Sequence, residues 1–227
     1  MVFWSGDGTD FEVIRADDMD ISSLCGWGGS GAKALKFTAK DGTEIEITDR
    51  SKLKSLKITS VKDASNISTY FLHNCTGLKT LDISGLKDLT AIPGQFLFGC
   101  TALKTIDLSK LTNVASIGAS FMKSDAALTN IKFPTSSLVT SIGADFLSNC
   151  TSLTSIDLSG FNLLTTITSD GGGTGGFLYN CTSLTRIDLP NNTPPTVNNA
   201  ANYFMKNVKT SIPMYARADL VADYKSA

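Results

Sequence analysis

The chain has 227 residues, 42% apolar and 18% charged, and its 20 Lys and Arg against 21 Asp and Glu leave a formal charge of -1. With an isoelectric point near 5.8 there is no basic field for nucleic acid and no basic run for an anionic membrane surface. No apolar run reaches the ~20 residues that cross a bilayer, and the opening MVFWSGDGTDFEV lacks the basic and apolar stretches of a secretion signal.

Residues 1–50 follow no period and are rich in Asp, Gly and Trp, which predicts an N-terminal cap over the first unit of a repeat array. The runs FEVI, ALKFTA and EIEIT predict short strands, the last two on either side of the turn Lys40-Asp41-Gly42. Leu35 and Phe37 hint at a degenerate repeat. Asp7, Asp10, Asp17, Asp18 and Asp20 crowd together but match no calcium loop, so turn and cap roles are expected of them. Trp4 and Trp27 are expected to plug the cap, with an exposed sugar platform as the alternative.

From residue 51 the chain repeats. Phe71, Phe96, Phe121 and Phe146 are each 25 residues apart, and FLHNCTGLKTLDISGLKDLTAIPGQ returns as FLFGCTALKTIDLSKLTNVASIGAS. A fixed period in the twenties is the mark of a solenoid. Leu53, Leu56 and Ile58 recur as Leu78, Leu81 and Ile83, then as Leu103, Ile106 and Leu108, and onward to Leu184, Ile187 and Leu189. The closing apolar-polar-apolar triplet is a strand with its apolar residues on one face. Stacking predicts one sheet of short parallel strands.

A second series, Leu86, Leu89 and Ile92 and then Leu111, Val114 and Ile117, predicts an irregular or 3₁₀ return wall. Each Phe closes a corner. One coil orders ~25 residues at ~1–2 kcal/mol each for five to seven buried apolar side chains at roughly 1.5–3 kcal/mol each, so no coil stands alone. The run TSDGGGTGG lengthens the fifth coil and predicts a surface loop, either tolerated or shaping a binding edge. Pro194 and Pro195 stiffen the next return segment. Residues 208–227 predict a capping strand and a short helix from Arg217 onward. The expected organisation is a cap at 1–50, an array of about six 25-residue coils at 51–207 and a cap at 208–227.

Cys75, Cys100, Cys150 and Cys181 each lie four residues after a repeat Phe, with Asp125 in the equivalent place of the coil between them. Repeat position explains these thiols as buried filler. Coils ~4.8 Å apart hold parallel Cβ atoms about 1 Å too far apart for disulfides, which favours free thiols; Cys25 has no assigned partner.

With FLHNCTGLKTLDIS, FLFGCTALKTIDLS, FLSNCTSLTSIDLS and FLYNCTSLTRIDLP, the SIG at 116–118 and 141–143, and the ending IPMYARADLVADYKSA, residues 51–227 resemble BspA-like, treponemal-type leucine-rich repeat proteins. The resemblance implies a leucine-rich repeat fold and an adhesive role at a bacterial or protist surface, or secreted, with any signal or anchor outside this sequence.

His73 is the sole histidine, and Phe98, Lys123, Ser148 and Tyr179 replace it in other coils. That variation predicts an exposed, uncommitted site and no catalysis. Cysteines spread over separate coils without a C-x-x-C pair predict no metal, and no cofactor is implied. The N-x-S/T sequons at Asn66, Asn74, Asn149, Asn180 and Asn191 matter only in a secreted eukaryotic protein, and three contain the repeat cysteine.

What remains for function is the polar face of the strands. Asp82, Asp107, Asp157 and Asp188 share one place, which Lys57 and Lys132 take in other coils; Lys79 and Lys104 form an outer column, and Thr80, Thr105, Asn130, Ser155 and Arg186 the next. The strip is either a charge-compensated solvated ladder or a recognition surface for an unknown protein or glycan. The sequence therefore points to a monomeric, non-enzymatic interaction and adhesion module, with a ligand-free structural spacer as the alternative.

Overall fold

The structure, a computed structural model, describes residues 2–4, 11–16, 21–26, 34–38, 44–61, 63–64, 67–168, 175–198 and 204–226. Of the expectations above, the Asp cluster at 7–20, Trp27, the turn at 40–42, Asn66 and most of the glycine-rich run lie outside the described residues, and Trp4 is described by its backbone alone.

The chain folds as a solenoid of about six turns. On the first wall the strands Leu53–Ile58, Thr80–Asp82, Thr105–Asp107, Asn130–Lys132, Ser155–Asp157 and Arg186–Asp188 succeed one another. Their parallel ladders pair equivalent residues, Ser55 with Thr80 and Thr105 with Asn130. The polar-apolar alternation does what period two requires: Ile106 and Leu108 are buried and Asp107 is exposed.

This wall is divided into three hydrogen-bonded sections rather than one continuous sheet. Three-residue strands offer so few ladder bonds that slight slackening interrupts them, as between Thr154 N and Thr129 O at 3.5 Å. Strand Phe11–Ala16 extends the wall at its N-terminal end, parallel to Leu53–Ile58, and Val2–Trp4 pairs antiparallel on its outside. A hairpin of Leu35–Thr38 and Glu44–Ile47 buries Leu35, Phe37 and Ile47 in the same core. Met214–Tyr215 adds the last strand beside Arg186–Asp188, and a 3₁₀ turn at Ala218–Leu220 leads into the helix Val221–Ser226.

The return wall is more ordered than the spacing of apolar residues suggests. It begins with turns, one of them the 3₁₀ turn Ser84–Leu86, and ends in a second parallel sheet of five strands: Ala91–Ile92, Ser116–Ile117, Ser141–Ile142, Thr166–Thr168 and Thr196–Asn198. The S-I-G motif belongs to it. Ile117 and Ile142 point into the core, and Gly118 packs so closely that a Cβ there would lie 2.5 Å from the backbone N of Gly94.

At the corner between the return and strand walls the phenylalanines form a continuous stack, buried except at its half-buried last member Phe204. Phe71, Phe96, Phe121, Phe146, Phe177 and Phe204 follow at ring centroid distances of 4.7, 6.1, 5.5, 5.4 and 5.2 Å, all within 17° of parallel. Around each Phe the backbone alternates through left-handed residues: Gln95, Leu97 and Gly99 in one coil, Ser120, Met122 and Ser124 in the next. Their N–H groups donate alternately to the following and preceding coils, Gln95 to Ala119 O, Leu97 to Phe71 O and Gly99 to Lys123 O. Asn74, Asn149 and Asn180 hold left-handed positions, which Asn tolerates, so in this fold N-C-T is a corner signature.

Candidate functional site

The repeat cysteines are free and buried. The thiols of Cys100, Cys150 and Cys181 donate to Leu72 O, Met122 O and Leu147 O of the preceding coils at 3.3, 3.1 and 3.2 Å. Burial pushes the Cys75 and Cys181 thiols up to about 12, so they are protonated fillers. Asp125 takes the same place, wholly buried, and accepts from Cys100 N at 2.7 Å.

His73 overturns the expectation of an exposed corner residue: it is 4% exposed. Its ring stacks on Phe98 at 4.7 Å and meets Tyr70 edge-on at 5.4 Å, while its carbonyl accepts from Arg50. Burial first, then the Arg50 charge, lower its pKa against a hydrogen bond to Gln95. The left-handed residues on either side redirect side chains that simple alternation would send outward. In the same column Lys123 pairs with Asp145 at 2.6 Å and Ser148 is buried.

The structure brings the predicted strip together on the strand wall. Lys79, Thr80, Lys104, Thr105, Asp107, Asn130, Lys132, Asp157 and Arg186 are exposed, and Asp82, Ser155 and Asp188 are half-buried. Lys57 meets Asp82 at 3.3 Å and Lys132 meets Asp107 at 3.0 Å, each pair between neighbouring coils. These pairs are open to solvent, a setting worth ~0–1 kcal/mol; they make the middle of the strip electrically quiet. Where Lys79 and Lys104 give way to Thr129, Thr154 and Thr185, each hydroxyl donates to a carbonyl one coil back, at 3.0, 3.3 and 2.9 Å.

The aspartates also serve the backbone. Asp82, Asp107 and Asp157 accept from the N–H two residues on, at Ser84, Ser109 and Ser159, at 2.8–2.9 Å. Burial opposes ionisation of Asp82 and Asp107, but these bonds and the paired lysines outweigh it and hold both carboxyls below their ordinary value.

The last coil breaks the pattern. Pro190 stands two residues after Asp188 and has no N–H to offer. Asp188 instead receives a two-pronged bond from Arg186, 2.7 Å from Nε and 2.6 Å from Nη2, and the Arg186 guanidinium lies 4.2 Å from the centre of the Tyr215 ring. Tyr215 and its neighbour Met214 are 47% and 56% exposed. Beside Tyr215 opens a concavity of about 770 Å³ lined by Ser159, Asn162, Asp188, Asn191, Tyr215 and Arg217 among others. Among the described residues no group of three or more His, Cys, Asp or Glu side chains is placed to hold a metal ion.

Comparison with known proteins matches the family description "BspA type Leucine rich repeat region", in six copies over residues 47–171 and 112–213. The chain belongs to the BspA-type leucine-rich repeat family. A solved leucine-rich repeat protein from Bacteroides ovatus ATCC 8483 is 15% identical, aligned over 96% of this chain and 77% of that one at a TM-score of 0.38, a likeness too distant to carry detail. No curated protein matches.

In this BspA-type array the strip was legible from the repeat, whereas its C-terminal end was not. Met214, Tyr215, Asn162 and Asn191 lie outside the strip's repeat columns. The signal that could have pointed there is Pro190, which removes a donor the other three aspartates use.

Proposed function

We infer that this BspA-type chain is a non-enzymatic interaction module, acting as a monomer at a cell surface or in secreted form, that binds a protein or glycan partner through its strand wall. In this reading residues 1–50 and 208–227 close the array of residues 51–207, and the strip from Lys79 to Asp188 forms the contact face. The observation that carries it is Tyr215, 47% exposed on the outer face of the capping strand, level with Asp188 and against Arg186 where the strip ends. An exposed aromatic side chain beside Arg is the composition of an interface centre. A ligand-free spacer is the second reading, favoured by the Lys57–Asp82 and Lys132–Asp107 pairs that neutralise the middle of the strip.

The test is an array of extracellular-matrix proteins and glycans probed with the purified chain. The module reading expects at least one retained partner, weakened about tenfold or more by Lys79→Ala with Lys104→Ala. Silence on both arrays would leave the spacer.

A further inference from the structure

We propose that the concavity between the last repeat coil and the capping strand Met214–Tyr215 is a binding subsite for a neutral saccharide. The proposal rests on the interaction-module reading and names, within it, a site and a ligand class. At about 770 Å³ the concavity falls within the ~300–1,000 Å³ usual for small-ligand sites.

Its lining selects by charge. Both Asp188 oxygens already accept from Arg186, so a cation would meet a carboxylate whose charge is answered. Arg217 at the rim donates through Nε to Asp219 at 2.6 Å, which offsets its charge toward an arriving anion. What remains is a mixture of neutral donors and acceptors. Asn191 spends its amide N–H on Ser159 O at 2.9 Å, which fixes its carbonyl oxygen as an acceptor. Asn162 is exposed and can both donate and accept. Sugar hydroxyls also donate and accept, and they match such a set better than a charged group or an apolar side chain does. Tyr215 supplies the other half of the recognition: its ring is held by Arg186 yet 47% exposed, a rigid apolar surface with a polar tip for the C–H face of a sugar ring.

The freed carboxylate and the extra amide come from the departure of the last coil from its repeat. In the coils of Asp82, Asp107 and Asp157 the carboxylate is folded back onto a serine N–H. Pro190 frees Asp188 from that duty, and Asn191, three residues after Asp188, stands where Gly85, Lys110 and Gly160 stand in the earlier coils.

The experiment is saturation-transfer difference NMR on the full chain with cellotetraose, mannotetraose, galactotetraose and chitotetraose, beside heparin and hyaluronan tetrasaccharides. Transfer to at least one neutral tetrasaccharide and to neither anionic one is expected. Affinity should fall about tenfold or more in Tyr215→Ala and in Asn162→Ala, and be unchanged in Lys110→Ala. Circular dichroism checks folding; because Asn162 is exposed and makes no described hydrogen bond, its variant keeps the test valid if Tyr215→Ala unfolds. No neutral binding, preference for the anionic sugars, or binding that survives Asn162→Ala overturns the proposal. If the arrays yield a partner sensitive to Lys79 and Lys104 while no neutral tetrasaccharide binds, the saccharide site alone fails; if both are silent, the module reading fails with it.

Discussion

Where four coils place a thiol, Asp125 places a carboxyl, and its second oxygen finds no hydrogen-bond partner among the described residues. Burial raises its pKa well above the ordinary carboxylate value, against the bonds it accepts from the backbone of Cys100 and Gly99. The folded chain therefore keeps this proton after the unfolded chain, with an Asp pKa of about 3.9, has lost it. Above that pH the unfolded state binds fewer protons, so stability from this residue is complete below about pH 4 and declines as pH rises toward the raised folded value. Asp125→Asn keeps the shape and removes the titration. Its stability advantage over the parent, from urea midpoints, should grow between pH 4.5 and pH 8, and an advantage constant with pH would refute the buried-acid account. Asp125→Cys restores the repeat residue and should stabilise by roughly 1–3 kcal/mol at neutral pH, the usual cost of an unsatisfied buried group.

At the scale of elements, the phenylalanine stack is what one coil presents to the next. Phe121 is fully buried between Phe96 and Phe146, so Phe121→Ala should cost about 3–5 kcal/mol in chemical denaturation. Phe204, half-buried at the end of the described stack, should cost clearly less. Phe71 to Phe146 announce this stack by spacing alone, and so do the strands, whose apolar residues alternate. The corner backbone gives no such sign. Leu97 at φ 58° and Leu147 at φ 55° adopt a left-handed conformation that costs roughly 1–2 kcal/mol per residue, and no property of a leucine side chain forecasts it. That geometry exists because N–H groups in neighbouring coils need partners, a tertiary demand, and it is why His73 looks exposed in sequence and is buried in the fold. The second sheet was hidden differently: two-residue strands such as Ser116–Ile117 are too short to show any period.

For the whole molecule, all five cysteines are free and buried, so the fold is held by packing and hydrogen bonds without a covalent clasp. Alkylation with iodoacetamide in the absence of reductant should leave the native chain almost unmodified and add five adducts once it is unfolded. Fewer than five after unfolding would reveal a disulfide. The exposed strip and its C-terminal end divide in the same way as the fold. Its columns of Lys, Thr and Asp follow the period and could be read directly, whereas Tyr215 meets Arg186 only because the capping strand is laid beside the last coil.

The stacked ladders also set how the array answers force. Neighbouring coils meet edge to edge through their strand and corner hydrogen bonds, and a load drawing the two ends of the stack apart falls on one boundary at a time. Each regular coil that yields releases 25 residues, and the coil from Phe146 to Phe177 six more, so that roughly 80–90 Å of extended chain or more is freed before the next boundary is strained. The array would pay out in discrete steps, and a load held at one end would feel a bounded tension instead of a sudden break.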